Sequence, residues 1–165
     1  MHAAFTIALC LLATAAAWSD LRQRRVTNRL CAIILTVGLA RTVAMMDAAG
    51  FALALAGVAV GLGLLLPAFA ARWVGGGDVK LLAALGAWLG PAGALVGGLL
   101  GIALGGLLSV GMAIAGGAGR EVAVNLGASI ATMTAPVAPR RGRALVVPLA
   151  IPIAAGALFV YLGGL

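Results

Sequence analysis

Four acidic side chains occur in the sequence, Asp20, Asp47, Asp78 and Glu121, and two of them stand where an acid could do chemistry. Asp78 follows directly on Gly75-Gly76-Gly77 and precedes Val79-Lys80, between two apolar stretches. Three glycines in a row can hold backbone angles closed to other residues and let another chain come close, so the acid after them is presented rather than packed away. Beside apolar segments an acid has no inexpensive environment, which marks it as functional. The competing reading is a connecting turn with a solvated Asp78 at a helix start, where a carboxylate favours the positive end of the dipole. A nucleotide loop is excluded, because the spacing G-x-x-x-x-G-K-[ST] is absent and no strand precedes the glycines. Asp20 opens the run Asp20-Leu21-Arg22-Gln23-Arg24-Arg25-Val26-Thr27-Asn28-Arg29, which holds four arginines in ten residues. Those arginines read as a stop-transfer anchor among lipid headgroups, a role that leaves the acid ahead of them unexplained.

Two carboxylates within reach of one water cannot easily both be ionised, so they share a proton and titrate together. The charged member can take a proton from water as it attacks a peptide carbonyl, and the protonated member can donate toward the developing oxyanion. No competing catalytic set is visible. Ser19 and Ser109 have no histidine base, since the one histidine is His2, and there is no H-E-x-x-H. Cys10 and Cys31 are isolated within apolar runs and read as small buried hydrophobes; without a C-x-x-C pair, neither a zinc site nor a disulfide framework is expected. The chemistry therefore calls for no metal and no cofactor.

The elements that must position the acids are apolar helices. With 64% hydrophobic and 9% charged residues, the chain has more apolar surface than one soluble core could hide. It reads as a single all-α integral membrane domain over residues 1–165, with about six transmembrane helices at about 20 residues per crossing. The net charge of +7 comes in small groups beside apolar runs, which points to membrane topology and away from nucleic acid. Residues 3–18 form the first run; no lysine or arginine precedes it, so it reads as a retained helix with its N-terminus outside rather than a signal peptide. Helices follow at 30–46 and 51–71, with Asp47 and Gly50 marking the turn between them. A fourth, 79–89, is short for a span and places Asp78 at the membrane edge. Gly90-Pro91 reads as an outer turn or a kink in one longer helix. The fifth, 92–115, carries Gly93, Gly97, Gly101 and Gly105, a spacing that lets backbones approach inside the bundle. Residues 116–143 read as an inner loop with a surface helix between 121 and 133. The sixth helix, 144–162, is interrupted by Pro148 and Pro152, which favours a place against other helices or a wet cavity. This arrangement puts ten of the eleven basic residues inside and only Arg41 outside. Asp20 and Asp78 then share one depth on the cytoplasmic side.

The two motifs resemble those of a known family. Asp20 through Asn28 is similar to the D-x-R-x-R-R-I-P-N signature, and Gly75 through Leu82 to the G-x-G-D-x-K-L signature, of the type IV prepilin peptidases. The likeness is closest to the short branch serving Flp and tight-adherence pili. G-x-G-D alone is also shared with other intramembrane aspartic proteases. The resemblance implies that Asp20 and Asp78 are the catalytic pair, that Gly75 and Gly77 shape the approach of substrate, and that Arg24, Arg25, Asn28 and Lys80 support the motifs or bind substrate. It implies a multi-pass enzyme of the bacterial inner membrane that removes a short basic leader from prepilins ahead of their hydrophobic N-terminal helix. The cytoplasmic N-methylation domain of larger relatives is not expected. Val26-Thr27 departs from the usual Ile-Pro, and Pro148-Leu149-Ala150 stands where relatives often show Pro-Tyr-Gly. For Lys80 two roles stay open: orienting an acidic group or tuning Asp78 electrostatically, against snorkelling to headgroups. A non-enzymatic alternative is a scaffold or small transporter in which the same acids pair with arginines or relay protons.

Overall fold

The computed structural model describes residues 2–23, 27–115, 124, 127–128 and 149–163. Among these the regular structure is all helical, in α1 (His2–Gln23), α2 (Asn28–Ala70), α3 (Gly76–Ala115) and α4 (Ala150–Gly163), with a short connection at 71–75. Helix is what such a sequence has to form, because in hydrocarbon each backbone N–H and C=O must find its partner within the segment. Four stretches are long and apolar enough to cross a membrane, Ala4–Arg22, Asn28–Met45, Ala48–Ala70 and Gly76–Met112. The expected surface helix at 121–133 and the start of the last helix at 144–148 lie outside the described residues, apart from helical positions 124, 127 and 128.

Both long helices double back. A straight α2 of 43 residues would measure about 65 Å, twice the thickness of a bilayer core. Its contacts forbid that. Asn28 Oδ1 accepts a 3.0 Å bond from Lys80 and the Ile34 carbonyl a 2.8 Å bond from Trp88 Nε1, so the first half of α2 runs alongside α3 in the same direction. Gly57 then lies on the backbone of Gly86 and Gly61 on that of Leu82, so the second half returns the opposite way. The reversal falls between positions 41 and 57, around the expected turn at Asp47 and Gly50. The difference from the sequence reading is that the backbone stays helical through it.

In α3 the reversal is sharper. Gly90 sits at φ 69, ψ −178, in the left-handed half of the map that favours glycine, and Pro91 follows. Sixteen residues separate Leu82 from Gly98, about 24 Å along a straight helix, yet a Cβ on Gly98 would lie 3.0 Å from Leu82 Cδ2. Gly90-Pro91 is thus a turn between two helical halves. The glycines spaced by four then line α4 in antiparallel order: Gly93 meets Val160, Gly97 Ala157, Gly101 Ile153 and Gly105 Leu149. Leu81, Leu82, Leu85 and Trp88 of α3 share one core with Leu9 and Ala16 of α1, Ile34 and Leu65 of α2, and Ile153 and Ala157 of α4.

The far end of the bundle explains the one basic residue set apart from the rest. The turn at Gly90 strips the preceding carbonyls of helical donors, and Pro91 has no N–H to give. Arg41 Nη1 donates to the Trp88 carbonyl at 3.4 Å, and its guanidinium lies 5.9 Å from the Trp88 ring centroid and 5.4 Å from that of Tyr161. A cation here also meets the negative end of the helical half it caps. Replacing Arg41 with Met should lower stability by about 1–2 kcal/mol, and Lys should restore only part of it, since Lys lacks the planar fork. Thermal unfolding of the detergent-solubilised protein measures both.

Candidate active site

The opposite end carries the acids. There α2 closes in a left-handed cap: Trp73 N–H donates to Ala68 O at 2.8 Å, Arg72 N–H to Phe69 O at 2.9 Å, and Arg72 itself takes φ 61. Three residues later α3 begins, with the Gly75 carbonyl accepting from the N–H groups of Asp78 at 3.1 Å and Val79 at 3.4 Å. Gly75 is therefore the N-cap and Asp78 the third helical residue. From that position its carboxylate folds back onto the Gly75 N–H, the reach expected of an acid in the first turn.

The glycines are needed for space rather than for unusual angles. None of Gly75, Gly76 and Gly77 has positive φ, contrary to the sequence argument. A Cβ on Gly75 would lie 3.3 Å from Asp78 Oδ2, and one on Gly76 would lie 3.2 Å from Phe69 Cε2. Gly77, half-buried, directly precedes the acid in the first turn. The structure places Asp78 in the first turn of a helix, half-buried rather than fully solvated.

Asp20 occupies the last turn of α1 and is only 6% exposed. Its Oδ2 accepts a 3.2 Å hydrogen bond from the backbone N–H of Ala150, at the start of α4. The two acids, from opposite ends of their own helices, meet at one end of the bundle, close enough for the charge of Asp20 to act on Asp78. Yet α1 packs on α4 and touches α2 only lightly, and makes no close backbone contact with α3 among the described residues. The two acids therefore come within electrostatic range of each other from helices that are not backbone neighbours. Among the described residues no group of three or more His, Cys, Asp or Glu could hold a metal.

Lys80 Nζ donates to Asn28 Oδ1, tying the first turn of α3 to the first turn of α2. That partner was in neither of the two roles sequence left open for Lys80. The buried Cys31 thiol lies within electrostatic range of both Lys80 and Asp78. Arg24 and Arg25 lie outside the described residues. Because the Lys80–Asn28 bond is exposed and joins a charged ammonium to a neutral amide, Asn28→Ala and Lys80→Met should each slow turnover about two- to tenfold and, combined, no more than either alone. Turnover of a matched substrate by the two single variants and the double variant checks this.

The sequence marked position 150 only through the departure of Pro148-Leu149-Ala150 from the family's Pro-Tyr-Gly, and gave no sign of a bond to Asp20. The contribution of Ala150 is a main-chain amide, which every residue but proline carries. Residues 7–110, more than half of the chain and including both acids, match the sequence model of the type IV leader peptidase family, and the chain belongs to that family. No curated protein and no solved structure matches it.

Proposed function

We propose that this member of the type IV leader peptidase family is an aspartic endopeptidase with Asp20 and Asp78 as its catalytic pair. Its substrates are prepilins of the Flp type, from which it removes the short basic leader ahead of the hydrophobic segment. The observation that carries the reading is that the two acids, fifty-eight positions apart in sequence, come within electrostatic range of each other at one end of the bundle. A water between the carboxylates gives a proton to the charged one as its oxygen attacks the scissile carbonyl, and the protonated one gives its proton to the carbonyl oxygen. The resulting gem-diol collapses as the C–N bond breaks. The amine nitrogen takes the proton held by the first acid, and one diol hydroxyl returns a proton to the second. Both acids end as they began.

We read the bundle as six spans, with each half of α2 and α3 counted separately, and with the acid end at the cytoplasmic face of the inner membrane. The charge distribution supports that orientation. Two tryptophans at the same end support a headgroup level there: Trp18 is 59% exposed, with Arg22 4.8 Å from its ring centroid, and Trp73 is 48% exposed. The test is co-expression with a small prepilin whose leader ends in glycine, followed by N-terminal sequencing of the pilin. Cleavage after that glycine, dependent on this protein, is expected. Intact leaders in its presence would leave the scaffold or transporter reading instead.

A further inference from the structure

Resting on that reading, we propose that the backbone N–H of Ala150 is a positioning group for the reaction, holding Asp20 as the charged, water-activating member of the pair with Asp78 as its proton donor. The Ile153 N–H donates to the Leu149 carbonyl at 3.1 Å, so Leu149 is the N-cap of α4 and Ala150 its first helical residue. An amide there has no acceptor within its own helix. It is aimed instead at Asp20 Oδ2, 130 positions away in sequence, with Ala150 fully buried and Asp20 nearly so. A donor in such surroundings is stronger than one in water, and it stands at the positive end of a helix. Asp78 also receives an amide, but from Gly75, which is exposed and belongs to the same helix start.

Among the described residues, the other groups at this end, the exposed Arg72 included, do not supply the charge Asp20 needs. On α1, Arg22 lies over the exposed Trp18 ring. On α2, Arg29 is exposed and Cys31 is a free thiol. On α3, Lys80 bonds to Asn28. The α4 phenol, Tyr161, is at the far end beside Arg41. With Oδ2 occupied by Ala150, Oδ1 is left to take the proton of a water facing Asp78. The family match ends at residue 110, so this role for α4 comes from the fold alone.

Proline is well suited to the first position of a helix, and there it replaces the N–H that bonds Asp20 with a ring carbon. Ala150→Pro should therefore lower kcat for prepilin cleavage about ten- to hundredfold with KM unchanged, while Ala150→Gly, which keeps the amide, should cleave within about twofold of the parent. An amide-to-ester exchange at position 150 deletes the same N–H without a ring and should lower kcat equally, which covers the case in which the proline variant fails to fold. Infrared difference spectra assign the charges directly, since the chain has only four acidic side chains. Under the assay conditions Asp20→Asn should delete a carboxylate band and Asp78→Asn a carboxylic acid band. Parental kcat in the folded proline or ester variant, an equal loss in Ala150→Gly, or the reverse assignment of bands would overturn the proposal. Cleavage surviving in both Asn variants would instead refute the aspartic reading on which it rests.

Discussion

Asp20→Asn and Asp78→Asn should each reduce prepilin cleavage about a thousandfold or more, the range lost when a general acid or base is removed from a two-group mechanism. Asparagine keeps the size and one oxygen of each side chain, so packing around the buried Asp20 and its bond from Ala150 can survive the change. What it cannot do is accept a proton from water or cycle between charged and neutral forms. In the proposed mechanism the two acids act as a unit, so the double variant should be hardly slower than either single one. Initial rates of leader removal in membranes, with the amount of folded enzyme measured alongside, give the comparison. Near-normal rates in either single variant would exclude an aspartic mechanism.

The second large effect is on folding. Gly57 and Gly86 meet backbone to backbone, each occupying the place where a Cβ on the other would be, so neither can acquire a side chain without the two halves of the bundle moving apart. An overpacked contact is relieved by a flexible neighbour when there is one, and here both neighbours are main chain. Gly86→Ala should therefore destabilise at or beyond the upper end of the usual range of about 1–3 kcal/mol for an added methyl, and Gly86→Val should prevent accumulation of folded protein. Gly63 provides the control. A Cβ there meets nothing within 4 Å, and Gly63→Ala should be neutral or stabilising by up to about 1 kcal/mol through helix propensity alone. Unfolding temperature and yield after detergent extraction distinguish the three variants.

The contrast between those glycines marks where sequence reasoning worked and where it stopped. Gly93, Gly97, Gly101 and Gly105 recur every four residues and could be assigned to one packed face, because helical periodicity alone puts them there. Gly57 and Gly86 follow no shared period, and only the fold makes them partners. Charge clusters brought Asp20 and Asp78 to one end, since lipid sorts arginines whatever the packing. The same bookkeeping left Arg41 as an exception, because it counts charges and does not see that a broken helix needs a donor for the Trp88 carbonyl. The turn at Asp47 and Gly50 was legible as a reversal but not as a helical one. Turn-forming residues indicate where a chain bends, and the hydrogen bonds it keeps while bending depend on what surrounds it.

The half of α3 before Gly90 runs from position 76 to 89, about 21 Å of helix against a hydrocarbon layer of about 30 Å. Residues 81–88 of it are buried among the other helices, so the short half meets no lipid of its own and ends inside a ring of longer neighbours. In the six-span reading, the half-buried carboxylate at its head then sits below the rim set by the longer helices around it. A peptide bond adjoining a greasy anchor could be hydrolysed there while the anchor stays dissolved in lipid, sparing it the large penalty of being drawn out into water.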